Sequence, residues 1–208
     1  MELPILKAKI DENIEMDGVD AIALVDYPAI EVNWMKFDKT KTEIKLNLNE
    51  DKRIITGPIM IADKPIYRND AFLGEYYIVY EKDTIEKMNK KFFMESKINR
   101  INEMHDSTQM VKYVYVIESW IIKDVDNDKS KSLGFNNLTE GTWMMSYYIQ
   151  DENYWNDHIK SGQFKGFSLE GFFDLEFRKD DPIKSIYDVL NDDNISEDEA
   201  LEKLKNLL

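Results

Sequence analysis

The chain has 208 residues, 43% hydrophobic and 12% aromatic, enough for one large domain with its own core. A net charge of −14 repels phosphate backbones and argues against direct nucleic-acid binding; it serves solubility or draws basic partner segments. The absence of cysteine excludes disulfides and thiolate metal sites and fits a reducing compartment, while no apolar run has the form of a signal peptide or the length of a membrane span.

Asp17-Gly18 marks a turn before the apolar run Ala21-Ile22-Ala23-Leu24-Val25, which Pro28 ends. Residues 42–48 alternate as a strand, and residues 54–61 read as a strand bent at Gly57-Pro58. Residues 75–81 form a strand rich in aromatics. Asp83, with Glu86 three residues on, has the form of a capping box, opening a helix with Ile85, Met88 and Phe92 on its core face. Residues 99–107 read as a loop carrying His105, and residues 111–122 as the longest strand, apolar on both faces. Residues 124–134 are a charged turn. Asp124-x-Asp126-x-Asp128 begins like a calcium loop, but Lys129 stands where glycine is needed and Phe135 where the terminal glutamate is needed. A strand follows over 142–150. Asp151 then caps a helix that turns Trp155 and Ile159 inward and ends near Gly162.

Next comes Gly166-Phe167-Ser168-Leu169-Glu170-Gly171. An α/β-hydrolase elbow would place glycine at position 170 and run into a helix. Here the chain continues as a strand, with Phe167, Leu169, Phe173, Leu175 and Phe177 on one parity and Ser168, Glu170, Asp174 and Glu176 on the other. Ser168 therefore stands on the polar face of a strand, with a bulge expected near Gly171. Beyond Arg178-Lys179-Asp180-Asp181-Pro182, residues 183–190 and 197–208 read as short amphipathic helices, the second with a capping box at Ser196 and Glu199. The expected organisation is a body over 1–178 and a charged linker with a helical tail over 179–208.

With no cysteine and only two histidines, the chain has few ways to activate a nucleophile. Ser168 is the candidate nucleophile and His105 the candidate base; His158, on a predicted helix beside Tyr154 and Trp155, reads as a packing residue. A third group must orient the base. Glu118 comes first, because a carboxylate in the apolar stretch Val116-Ile117-Glu118-Ser119-Trp120-Ile121-Ile122 needs a partner, which an imidazole or a Lys or Arg would supply. Glu170 is the alternative, on the face of Ser168, and Asp20 the next. The bland reading makes Ser168 an ordinary strand serine and His105 a loop residue bonded to Asp106. The residues alone point to a β-rich serine hydrolase.

The closing motif around Ser168 resembles that of the XkdF-like phage serine proteases. So do Met104-His105-Asp106, Ile117-Glu118-Ser119-Trp120-Ile121, Gly141-Thr142-Trp143 and the run from Trp155 to Gly162, in that order. The stretch from Val19 to Glu31 is similar to that family's leading segment, so the resemblance spans about residues 17–177. Through its relation to tailed-phage prohead proteases and, remotely, herpesvirus assemblins, it implies an α+β fold built on a mostly antiparallel β-barrel flanked by helices. It implies a prohead endopeptidase that cleaves scaffold and major capsid protein, and sometimes itself, without a cofactor. The setting would be the host cytoplasm, inside the prohead or in the virion, with no membrane; the relation to assemblins leaves a homodimer open. Ser168 would be nucleophile and His105 base. In the related proteases an acid precedes a Val-Ser-Leu-Val-x-x-Pro-Ala stretch after the serine. Here the similar stretch lies at 22–29, before it, with Ala21 at the acid's position and Asp20 beside it. The alternative is a structural prohead or virion component of the same fold without activity; a weaker third reading is an unrelated cytosolic esterase.

Overall fold

The computed structural model describes residues 3–28, 45–71, 73–177, 188–189, 192 and 195–207. Twelve strands in these residues form three four-stranded sheets. The first is ordered β12-β1-β6-β5, from β1 (Ile5–Lys9), β5 (Ile66–Asp70), β6 (Gly74–Val79) and β12 (Asp174–Phe177). The second runs β3-β4-β10-β9, from β3 (Asn47–Asn49), β4 (Ile54–Met60), β9 (Val114–Ile121) and β10 (Trp143–Ile149). The third runs β11-β2-β7-β8, from β2 (Gly18–Val25), β7 (Ile101–Glu103), β8 (Asp106–Met110) and β11 (Gly166–Phe172). All pairings are antiparallel except β1 with β6 and β2 with β7. The fold is α+β and mostly strand. Among the described residues the sheets do not close into the expected barrel: they meet through side chains, as where the Phe167 ring packs against Gly57 of β4, and not through a continuous hydrogen-bonded ladder.

Helix α1 (Lys82–Met94) buries Ile85, Met88 and Phe92 completely, as their spacing predicts. The expected capping box does not form. The helix starts one residue earlier, at Lys82, so the N-cap is Glu81, whose side chain makes no capping bond, and Asp83 lies in the first turn. Phe92 meets the buried ring of Trp143 edge to face at 5.6 Å, and the Trp143 Nε1–H donates to Ser119 Oγ at 2.9 Å. α2 begins at Glu152–Tyr154 and passes into a π turn at Trp155–Lys160; Asp151 Oδ1 accepts from Tyr154 N at 3.0 Å, the cap its position predicts. Trp155 and Ile159 are buried, and Gly162 closes the turn at φ +78°. In the tail, α3 (Glu197–Leu207) starts at Ser196, whose Oγ accepts from Glu199 N. The helix expected at 183–190 and the boundary near 178 lie outside the described residues, residues 188 and 189 excepted.

β4 is continuous through Gly57-Pro58, and its irregularity falls next to them: Met144 stands opposite Pro58 and Trp143 opposite Met60, which leaves Ile59 as an extra residue on β4. Pro58 is tolerated because β3 pairs only with Ile54–Thr56. The bulge expected near Gly171 is present as a register shift between Glu170 and Gly171 against β2. A Cβ added at Gly171 would stand 2.0 Å from the carbonyl oxygen of Gly18, fixed backbone that cannot turn aside. Gly171→Ala is therefore expected to cost about 3 kcal/mol by forcing the two strands apart. Thermal unfolding checks it, at roughly 2–4 °C per kcal/mol for a chain of this size.

Candidate active site

Ser168 lies on β11 one residue after Phe167, whose buried ring packs on the fully buried Tyr147 of β10 at 5.1 Å. That anchor holds the strand, and alternation turns Ser168 and Glu170 to the other face. Ser168 stands opposite Ala23 of β2, Ala23 stands beside Asn102 of β7, and Glu170 stands opposite Ala21. The two alanines make a low floor, across which the Glu170 side chain spans the width of β2. Its Oε1 accepts a 2.6 Å hydrogen bond from Asn102 Nδ2 and lies 3.1 Å from His105 Nδ1. An imidazole protonated at Nδ1 donates to this carboxylate and leaves Nε2 as a proton acceptor.

The stretch read as a loop is a hairpin. β7 and β8 pair through Glu103 and Asp106, and the two residues between them, Met104 and His105, have φ +52° and +64°. Positive φ at both central positions is the mark of a type I′ turn, which favours Asn-Gly. Two side chains there carry strain of a kind that gathers at functional sites. Met104 N donates to Leu24 O at 2.9 Å and pins the turn beside β2. Asp106 is occupied with Thr108 and Gln109, and those hydrogen bonds, with Thr108 first, hold its carboxyl below the usual range. His105 turns to Glu170 instead.

The other candidates lie elsewhere. Glu118 is on β9, in a different sheet, half-exposed and ion-paired with Lys129, which also sits over the Trp120 ring. Asp20 points to the opposite side of β2 from Ala21 and pairs with Arg100 and Lys97. His158 stacks on Tyr154 at 4.7 Å and its Nδ1 meets Gln163 Oε1. The structure thus brings together His105 and Glu170 on the face of Ser168; Glu118 lies in another sheet, and Asp20, though it lines the cavity beside β11, is on the opposite face of β2 and is held by Arg100 and Lys97. The Ser168 hydroxyl has no hydrogen-bond partner among the described residues.

Asn102 is the residue that sequence reasoning missed. It is 1% exposed, and its Oδ1 is buried without a hydrogen-bond partner among the described residues. A buried amide that spends a donor on a carboxylate facing a histidine holds that carboxylate in place. Asn102→Ala is expected to lower turnover about ten- to a hundredfold by freeing Glu170. Since the amide's acceptor is already unsatisfied, the melting temperature should move far less than the rate, and comparing the two on one protein sample checks this.

Among the described residues β11 is the edge strand of its sheet. Ile22 N bonds to Arg100 O and Leu24 O accepts from Met104 N, so these alternate residues of β2 face β7. Ala21 and Ala23 then face β11 and pair with Glu170 and Ser168, which turns the backbone groups of Phe167 and Leu169 outward along the free edge. Beside that edge is a cavity of about 460 Å³, reached by Ser168 and Glu170 and lined also by Asp20 and Leu169 of the opposite face, with Arg68 and Tyr80 beyond them. Among the described residues no cluster of His, Asp or Glu has the geometry of a metal site, and no helix is long and apolar enough to cross a membrane.

No curated protein and no solved structure matches the chain. A family match covers residues 41–176, from before β3 into β12; the similar stretch at 19–31 falls outside it. That is well over half of the sequence and includes His105, Asn102, Ser168 and Glu170, and the chain accordingly belongs to the family described as Putative phage serine protease XkdF.

Proposed function

We propose that the protein is a capsid-maturation serine endopeptidase that cleaves scaffold and capsid-protein segments, and itself, inside the phage prohead. The observation that carries this reading is the Glu170–His105 contact on a strained turn, on the face of Ser168, in a chain of this family. Ser168 Oγ attacks the scissile carbonyl carbon while His105 Nε2 takes its proton. The tetrahedral oxyanion is met by an outward backbone N–H at the edge of β11, that of Leu169 being next in the chain. The C–N bond then breaks, His105 returns the proton to the leaving amine, and water repeats the sequence on the acyl-enzyme. Glu170 holds the imidazole in the Nδ1–H form and stabilises it when it is charged.

One observation favours the competing reading of an inert prohead component: the Ser168 hydroxyl donates to no described group. Such bonds are commonly long before substrate arrives. A fluorophosphonate probe separates the two readings by intact mass. A single adduct on Ser168 that His105→Ala abolishes supports the protease, and an unlabelled serine in assembled particles supports the inert component.

A further inference from the structure

The cavity beside β11 is lined by a cation, Arg68, that pairs with no carboxylate among the described residues. Of the acids in its lining, Asp20 is bound to Arg100, and Glu170 to Asn102 and His105. Arg68, half-buried on β5, donates from Nη1 to Tyr67 O at 2.9 Å, and no described carboxylate lies within ion-pair distance of it. Asp70, two residues along on the same face of β5, is turned to Tyr76 and Leu73 N, and Arg68 forms no ion pair among the described residues. The wall around it is apolar, made of the buried side chains of Ile59, Ile66, Ile78 and Tyr80. Burial in that wall holds the Tyr80 phenol up at about 12, so it presents no negative charge at neutral pH.

We infer that this cavity is a recognition site for an extended acidic-apolar peptide segment, seating an apolar side chain against Ile66 and Ile78 and a carboxylate on Arg68. The inference rests on the reading of β11 as the strand that presents substrate to Ser168. An extended peptide added to the free edge bonds to the outward groups of Phe167 and Leu169. It turns alternate side chains to one face, so residues i and i+2 enter the cavity together. The apolar one is desolvated by the wall. The acidic one meets a planar fork of N–H donors shaped for a carboxylate, in surroundings drier than bulk water.

The test uses the full chain carrying Ser168→Ala, so that binding is read without cleavage. Fluorescein-labelled decapeptides with a central Leu-Gly-Glu, Leu-Gly-Gln or Leu-Gly-Lys in a Gly-Ser background are titrated by fluorescence anisotropy. With Arg68 in place, the Glu peptide is expected to bind on the order of tenfold tighter than the Gln peptide, and the Lys peptide most weakly. Arg68→Gln should bring the Glu and Gln peptides together, and Arg68→Glu should reverse the order in favour of Lys, a gain that misfolding does not produce. Equal binding of Glu and Gln peptides, a preference that survives Arg68→Gln, or no binding of any peptide overturns the inference. None of these outcomes depends on whether Ser168 is a nucleophile, which the fluorophosphonate probe tests separately.

Discussion

Ser168→Ala is expected to abolish processing of scaffold and major capsid protein, with a loss on the order of 10³-fold or more. No other group near the outward edge of β11 can replace a covalent nucleophile. The described side chains on that face are Glu170, Asn102 and His105, all mutually engaged, and the alanines of β2. The measurement is intact mass spectrometry of assembled particles after co-expression of the three proteins. Truncated capsid or scaffold chains should appear with the unaltered protein and vanish with Ser168→Ala. Identical full-length masses in both would leave the chain a structural component and reduce His105 and Glu170 to an ordinary surface pair. The substitution removes one oxygen from a half-buried strand position and takes no hydrogen bond with it, so assembly itself should be unaffected.

The parts of this arrangement that were legible in the sequence are those where local pattern and tertiary environment agree. The alternation through Phe167, Leu169 and Phe173 showed which face of β11 carries Ser168, because one side of the strand packs inward and the other does not. The stripe Ile85, Met88, Phe92 was legible for the same reason. The β7–β8 hairpin was not. Met104-His105 lacks the Asn-Gly chemistry of a type I′ turn, and its cost is met by contacts distant in sequence, from Leu24 and Glu170. Asn102 went unnoticed with it, since a buried amide in a three-residue strand has no periodicity. Glu118 misled for a physical reason. A carboxylate among Val116, Ile117 and Trp120 is costly only if the strand is buried, but β9 is an edge strand with Tyr115 and Ile117 largely exposed, so Glu118 sits in water beside Lys129.

The third member of the site is therefore open to a direct contest between carboxylates. Glu170→Gln is expected to lower turnover by about 10²- to 10⁴-fold, while Glu118→Gln and Asp20→Asn stay within about twofold. The glutamine keeps the size and planarity of Glu170 and still accepts from Asn102 through its oxygen. What it loses is the charge: the same oxygen that accepts from Asn102 also faces His105 Nδ1, so the amide still holds the ring but no longer stabilises the imidazolium that forms when the serine proton is taken. Glu118 and Asp20 make surface ion pairs with Lys129 and with Arg100 and Lys97, whose loss costs little at this exposure and touches no group on the face of Ser168. Rates of fluorophosphonate labelling at Ser168 measure all three variants on one scale, without needing the natural substrate. A slow Glu170→Gln beside two normal rates would establish Glu170 as the group that orients His105. A slow Glu118→Gln beside a normal Glu170→Gln would mean that β9 swings across to the serine in the working enzyme, and that the His105–Glu170 contact belongs to a resting arrangement.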